Sequence, residues 1–343
     1  MLYAKYKFTG FNNETVNLIT ESTARALKEF EFSTFLLGCT FQDSLSEEAK
    51  LLLKKEFQPA LVREMEKTLN AKADFLEPEM EIIVNFNQDI AFFRPRPVFI
   101  SGRYKKFSRE ITQTKHYCFK CKGKGCSFCN KTGILTKESV QSLIEKHALP
   151  LFQAASLKFH GAGREDKDVR MLGNGRKFVI ELLEPKKRNC GLKRLKDAVN
   201  REEAKKIEID CLEFCKKEEV ARLKEAKFKK LYEALVFCEQ PFNLEKIQAL
   251  SGQFLEILQR TPLRVSKRRA DLERKKTTEI KEVEVVSKNS FKIRLIAESG
   301  LYVKEFISGD ENRTNPSLSS LLENKCSCKE LDVLEIIEQE KPF

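Results

Sequence analysis

The chain has 343 residues, a formal net charge of +12, charged side chains at 33% of positions and a mean hydropathy of −0.43. No apolar run reaches the roughly 20 residues of a membrane-spanning helix, which excludes a helical membrane protein and leaves room for two domains or a large core with a module. The excess of lysine and arginine favours an anionic partner. The opening segment MLYAKYKFTG lacks the basic–apolar–small order of a signal peptide, so a cytoplasmic, monomeric protein is expected, in which the eleven cysteines are reduced rather than paired.

Leu2, Ala4, Tyr6 and Phe8 alternate with polar residues and predict a half-buried strand ending at Gly10. A short helix is expected around Ser22 to Phe30, then a strand through Phe35 to Leu37. Ser44 and Glu47 have capping-box spacing at the start of a Leu- and Lys-rich helix that Pro59 should kink or divide. Pro78 to Asn85 and Ile90 to Phe93 read as paired strands, completing an α/β unit of about a hundred residues without a catalytic cluster.

From Arg94 to Lys115, RPRPVFISGRYKKFSREITQTK interleaves basic, aromatic, hydroxyl and amide side chains, a mixture suited to phosphates and stacked bases. Cys118, Cys121, Cys126 and Cys129 follow with C-x2-C-x4-C-x2-C spacing. Two such turns present four thiolates to one tetrahedral centre, and a closed all-sulfur set indicates one structural zinc rather than catalysis. The same run fits the C-x-x-C-x-G-x-G-C of a DnaJ-like zinc chaperone, but it occurs once and no His-Pro-Asp accompanies it.

Helical periodicity from Lys137 to His147 leads to FHGAGREDKDVRMLGNGRKF, Phe159 to Phe178, where Gly161, Gly163, Gly173 and Gly175 stand among acidic and basic side chains. That density suggests backbone held close to a ligand. Asp166 and Asp168 at i and i+2 would share a face if extended, and allow a divalent-metal pair, an acid/base pair, or one working carboxylate supported by arginines. Arg164 and Arg170 beside them would hold a carboxylate ionised. Beyond, Leu192 to Arg201 predicts a helix, Ile207 to Leu212 and Phe228 to Cys238 predict strands, the second carrying Tyr232, and Leu244 to Leu250 a short helix. Arg264 to Lys276 carries seven basic residues against Asp271 and Glu273, an imbalance favouring phosphate contact. A hairpin through Lys288-Asn289, a helix from about Pro316 and a last strand from Leu331 to Ile337 close the chain.

Five blocks, in order, resemble the archaeal and eukaryotic tRNA pseudouridine synthases of the Pus ten type: FISGRYKKFSREITQT, CFKCKGKGCSFCNKTG, FHGAGREDKDVRMLGNGRKF, LQRTPLRVSKRRADLERKK and GLYVKEFISGDENRTNPS. The resemblance runs from about Pro97 to the C-terminus, and EFSTFLLGC with the helices after it is a weaker match to a THUMP-like domain. It implies an α+β protein: a THUMP-like α/β RNA-binding domain over 1–95, a basic connector with a zinc knuckle over 96–136, and over 137–343 a catalytic domain on a mixed, largely antiparallel sheet. Arg164, Glu165 and Asp166 would be the catalytic motif with Asp166 the essential carboxylate and Asp168 its neighbour. Tyr232 would stack on the target base. Lys304 would pair with the aspartate beside an apolar wall of Leu301 and Val303. RNA contacts are expected from Arg103, Tyr104, Arg164, Arg170, Arg264, Arg268 and Arg269. The activity implied is conversion of uridine at positions 54 and/or 55 of the tRNA T loop to pseudouridine, with no cofactor or catalytic metal. The chain departs from the family pattern at Lys267, where R-V-x-H-R-R has histidine, and at Lys177, where G-R-P-F has proline. It also starts directly with a strand where family members usually carry two further cysteine dyads, so tRNA docking is expected to differ.

Overall fold

The computed structural model describes residues 2–267 and 269–338. Its contacts gather into two units: residues 1–100 with 144–159 and 180–195, and residues 101–143 with 160–179 and 196–343.

In the first unit, β1 (Leu2–Lys5), β2 (Thr34–Thr40), β3 (Lys72–Ala73), β4 (Met80–Asn85) and β5 (Ile90–Pro95) form a mixed sheet of order β1-β5-β4-β2-β3. β4 and β5 pair antiparallel, as their alternation predicts, and β2 runs parallel to β4. Helices α1 (Asn13–Leu27), α2 (Glu47–Lys55) and α3 (Phe57–Leu69) accompany the sheet. α1 starts nine residues before the expected Ser22. Asn12 caps it by accepting from the Thr15 amide, and Val16, Ile19, Thr20, Thr23 and Leu27 form its buried stripe. Threonines at buried positions hid that stripe from a purely apolar count. α2 is capped by Ser46, not Ser44, and the helix divides before Pro59, which lies in the first turn of α3 where no amide partner is needed. Phe11, Phe41, Phe57 and Phe86 cluster in the core, with Phe41 stacked on Phe86 at 5.4 Å.

The remaining strands are β6 (Val98–Lys106), β7 (Ser156–Gly161), β8 (Val169–Leu183), β9 (Ile207–Cys215), β10 (Lys229–Cys238), β11 (Phe254–Arg260), β12 (Glu273–Ser287), β13 (Ser290–Ala297), β14 (Thr314–Asn315) and β15 (Cys326–Ile337). They form one sheet of order β14-β11-β12-β13-β10-β15-β8-β6-β9, with β7 paired to β8. β10 pairs antiparallel with both β13 and β15, whereas β15 and β8 are parallel through Leu331↔Val169. The helices are α4 (Val140–Phe152), α5 (Leu192–Glu202), α6 (Glu218–Glu225), α7 (Leu244–Gln248), α8 (Leu263–Ser266), α9 (Val303–Ser308) and α10 (Leu318–Leu322). The protein is thus a mixed α/β structure with two mixed sheets. None of its described helices is long and apolar enough to cross a membrane.

Two of the four glycines of the 159–178 stretch, Gly173 and Gly175, serve the sheet. Gly173 has φ +55°, and a Cβ there would stand 1.7 Å from the Leu334 carbonyl oxygen. A Cβ on Gly175 would lie 2.8 Å from the Tyr104 carbonyl oxygen. Both positions let β8 pass against its neighbours where no side chain fits.

Candidate active site

Between β7 and β8 the chain leaves the sheet, and residues 162–168 pass through a bend and a turn, so the shared face that an extended segment would give Asp166 and Asp168 does not apply. Buried polar groups clamp that turn. Arg176 Nη1 donates to the Ala162 carbonyl at 2.6 Å, Gln113 Nε2 to the Gly163 carbonyl at 2.9 Å, and Lys106 Nζ to the Asp166 and Lys167 carbonyls at 3.3 and 2.7 Å. Glu165 points inward. Its carboxylate accepts from Tyr104 Oη at 2.7 and 2.9 Å and faces Arg176 Nε at 2.9 Å, an ion pair set off the hydrogen-bond direction. The Arg176 and Glu165 side chains are 1% and 2% exposed. Burial is the largest influence and opposes the Arg176 charge, but Glu165 together with Tyr104 and Tyr232 outweighs it and raises the guanidinium above its usual range.

With Glu165 turned in, Asp166 turns out into a cleft of about 850 Å3. Lysine and arginine side chains far outnumber the cleft's two carboxylates, Glu165 and Asp166. Arg264 on α8 reaches both Asp166 oxygens, at 3.1 and 3.0 Å, and its Nε donates to the nearly buried Glu305 of α9. Lys304 on α9 lies 2.7 Å from both oxygens of Asp168 and 3.6 Å from Asp166. The expected Lys304–Asp166 pair is therefore a network in which Arg264 is the nearer partner of Asp166. At Asp168 burial pulls the pKa upward, but hydrogen bonding and attraction from Lys304 prevail and hold the carboxyl below its ordinary range. Two cations already neutralise these carboxylates, an environment unfavourable to the divalent-metal alternative.

Tyr232 lines the cleft from β10, its residue pairing with Val333 of β15 and Leu295 of β13. Burial pushes its phenol up to about 12. Leu301 and Val303, both nearly buried, supply the apolar wall, and Arg164 and Arg269 line the rim, Arg269 donating to Tyr302 Oη at 2.7 Å. Arg164 approaches His116 Nε2 at 3.4 Å. Three expected RNA contacts are placed elsewhere. Tyr104 is fully buried against Glu165; Arg170 is bound bidentately by Asp332; Arg103 lies beside Asn174 and Gly175, paired with Glu338. Each has a carboxylate or carbonyl close in space but remote in sequence. Arg268 lies outside the described residues.

Sequence reasoning missed Lys106, Gln113, Arg176, Lys230 and Glu305. Lys106 had a legible signal, because it continues the inward phase of Val98, Ile100, Gly102 and Tyr104 on β6. Burial lowers the Lys106 ammonium to about 8 against the pull of Glu165 and Asp168. Lys230, two residues before Tyr232 and also lining the cleft, is lowered to about 8 by burial and by Arg176.

Cys118, Cys121, Cys126 and Cys129 converge, with all four sulfur atoms within 4.8 Å of one another. Three of the Sγ pairs stand at 3.8 Å, matching the roughly 3.8 Å edge of a tetrahedron with metal–sulfur bonds of about 2.3 Å. The Gly125 amide donates to Cys121 Sγ, and the Cys126 and Gly133 amides to Cys129 Sγ, each at 3.2 Å, as thiolate ligands require. Those bonds bring Cys129 down to about 6, whereas burial raises Cys121 to about 11. The donor set fits one soft tetrahedral ion.

A family model described as Pus10, C-terminal, matches residues 99–337. The chain belongs to the Pus10 family. The tRNA pseudouridine synthase Pus10 of Methanocaldococcus jannaschii is 38% identical over 335 residues, covering 95% of this chain and 73% of that protein. The protein of that name from Archaeoglobus fulgidus is 37% identical over 335 residues, covering 94% of this chain and 92% of its own length. The Cbf5-Nop10-Gar1 complex aligns with 68% of this chain and 58% of its own at 14% identity and a TM-score of 0.31, a distant likeness. The Pus10 match contains the clamped turn, Tyr232, Arg264, Lys304 and all four cysteines.

Proposed function

We propose that the protein is an isomerase that converts uridine to pseudouridine at position 54 and/or 55 in the T loop of tRNA, with Asp166 as the catalytic carboxylate. The observation that carries this reading is Asp166 itself: an outward carboxylate on a rigidly clamped turn in a basic cleft, in a chain of the Pus10 family. The cleft must receive a base taken out of its stack, so Tyr232 would hold the flipped uridine against Leu301 and Val303 while Arg164, Arg264 and Arg269 take phosphates. Asp166 attacks the nucleoside or removes a sugar proton, and the N1–C1′ bond breaks. The base turns, C5 bonds to C1′, and the C5 proton leaves as N1 gains one. Arg264, at 3.1 and 3.0 Å, and Lys304, at 3.6 Å, hold the carboxylate in place facing the cleft.

The proposal extends to a THUMP-like RNA-binding domain over 1–95, a connector with a zinc knuckle over 96–136 and a catalytic domain over 137–343, limits that the two compact units cross. It also takes the protein to act as a cytoplasmic monomer. Zinc on the four cysteines would brace the knuckle and take no part in the chemistry. Metal analysis of purified protein is expected to give about one zinc per chain, and replacing Cys121 and Cys126 by serine should abolish it.

Incubation with an unmodified tRNA transcript in EDTA, followed by carbodiimide-blocked primer extension, is expected to show stops at the T-loop positions. A signal only when magnesium is supplied would instead favour a metal site on Asp166 and Asp168. The two buried lysines add a pH dependence. As both lose a proton near pH 8, Lys106 holds its carbonyls less firmly and Lys230 leaves the cleft less positive, so kcat/KM should fall from about pH 7.5 to 9.5. Stability should move the other way. A pKa lower in the folded than the unfolded chain favours folding as pH rises from about 8 towards 10.5, so the decline is not unfolding. A flat profile to pH 9.5 would remove both lysines from the account.

A further inference from the structure

The knuckle exposes aromatic rings that its own fold does not use. Tyr117, Phe119 and Phe128 are 61, 69 and 49% exposed, in a chain whose other aromatics mostly serve the cores. Phe119 and Phe128 meet edge to face at 5.2 Å, and Lys120 Nζ lies 4.2 Å from the Phe128 ring centre. Tyr117 rests on Gly123, where a Cβ would come within 3.3 Å of the ring. Lys122, Lys124, Lys131 and Lys137 join Lys120 in the same stretch of sequence, and no carboxylate occurs between Ile111 and Lys137. A divalent ion on four thiolates would carry a net charge of −2, which five lysines outweigh. At the root of the knuckle, His116 both lines the cleft and approaches Arg164.

We propose that this face of the knuckle is a second RNA-binding surface, on which Phe119 and Phe128 stack unpaired bases of the tRNA while the lysines of the same stretch hold its phosphates. Exposed aromatics interleaved with cations and free of carboxylates suit a nucleic-acid strand, since every base offers a π-face and every linkage a negative charge. An apolar protein partner would be served by the rings but not by five uncompensated lysines. The contact with the cleft through His116 lets one RNA occupy both surfaces. The inference rests on the tRNA reading above, but its readout is affinity rather than pseudouridine formation, so the two can fail separately.

The test uses the full zinc-loaded chain and an unmodified tRNA transcript in a filter-binding titration. Two double variants are compared, Phe119→Ala with Phe128→Ala and Phe119→Leu with Phe128→Leu, each with its zinc content measured. The leucine variant keeps apolar cover over the cluster but cannot stack. Both are expected to bind tRNA about ten-fold or more weakly, the leucine variant with its zinc retained. Replacing Lys120 and Lys124 by alanine should lower the salt dependence of binding, by roughly 0.7 in log–log slope for each phosphate that is no longer neutralised. Wild-type affinity in the leucine variant would overturn the proposal and leave the rings to a protein partner or to shielding the metal. Loss of zinc in the alanine variant would pass the decision to the leucine variant. Failure of the unaltered protein to bind the transcript would overturn the proposal outright.

Discussion

Asp166→Ala is expected to lower pseudouridine formation by at least about 10³-fold while tRNA binding stays within a few-fold of the unaltered protein. The two effects separate because they depend on different groups. The carboxylate is proposed to do the chemistry, whereas Arg164, Arg264, Arg269 and Lys304 carry the positive charge of the cleft and remain. Removing a negative charge from a basic cleft should, if anything, tighten phosphate binding. Asp168→Ala is expected to cost far less, about ten-fold, by releasing Lys304 from its bidentate partner and letting it swing towards Asp166. Single-turnover assays with both variants, alongside binding titrations, check the ranking. If Asp168→Ala is the more damaging, the roles assigned to the two aspartates are reversed.

The second large effect is on stability. Glu165→Ala leaves the fully buried Arg176 without its counter-charge and Tyr104 Oη without its acceptor. Breaking a buried pair from one side costs about 3–5 kcal/mol, because the remaining charge must stay desolvated or drag water in. For a unit of this size that corresponds to a fall of about 10 °C in the unfolding midpoint. Replacing both residues, Glu165→Leu with Arg176→Met, should recover much of the loss, because no unpaired charge is left behind. Activity should not recover with it, since the same Arg176 holds the Ala162 carbonyl at the head of the turn. Thermal unfolding of the single and double variants tests this. A Glu165→Ala protein with an unchanged midpoint would contradict the buried-pair account.

What could be read from the sequence was local. The alternation around Tyr232 marks β10, and the cysteine spacing marks a cluster whose four sulfurs do converge. The hairpin through Lys288-Asn289 joins β12 to β13 where expected. Boundaries set by polar residues were less legible: threonines occupy the buried stripe of α1, and Ser46 rather than Ser44 caps α2. At the candidate site, charge partners were the hidden part. Nothing in a linear reading tells that Arg170 belongs to Asp332, 162 residues away, or that Arg264 joins Asp166 to Glu305. The role of Gly173 was hidden for the same reason, since it stands against the Leu334 carbonyl of a strand far along the chain. The choice of Asp166 over Asp168 came from resemblance to a family. The physical contrast between them, a turn clamped so that Glu165 faces in and Asp166 faces the cleft, is visible only in three dimensions.

The central claim is that this cleft rearranges a uridine of the tRNA T loop. Because C5 must lose its hydrogen to bond C1′, a transcript carrying tritium at uridine C5 reports each rearrangement as tritium released to water. The account predicts release to a plateau of one or two tritium atoms per tRNA in EDTA, abolished when the T-loop uridines are replaced by cytidine. Tight binding of the transcript with no tritium released would contradict it.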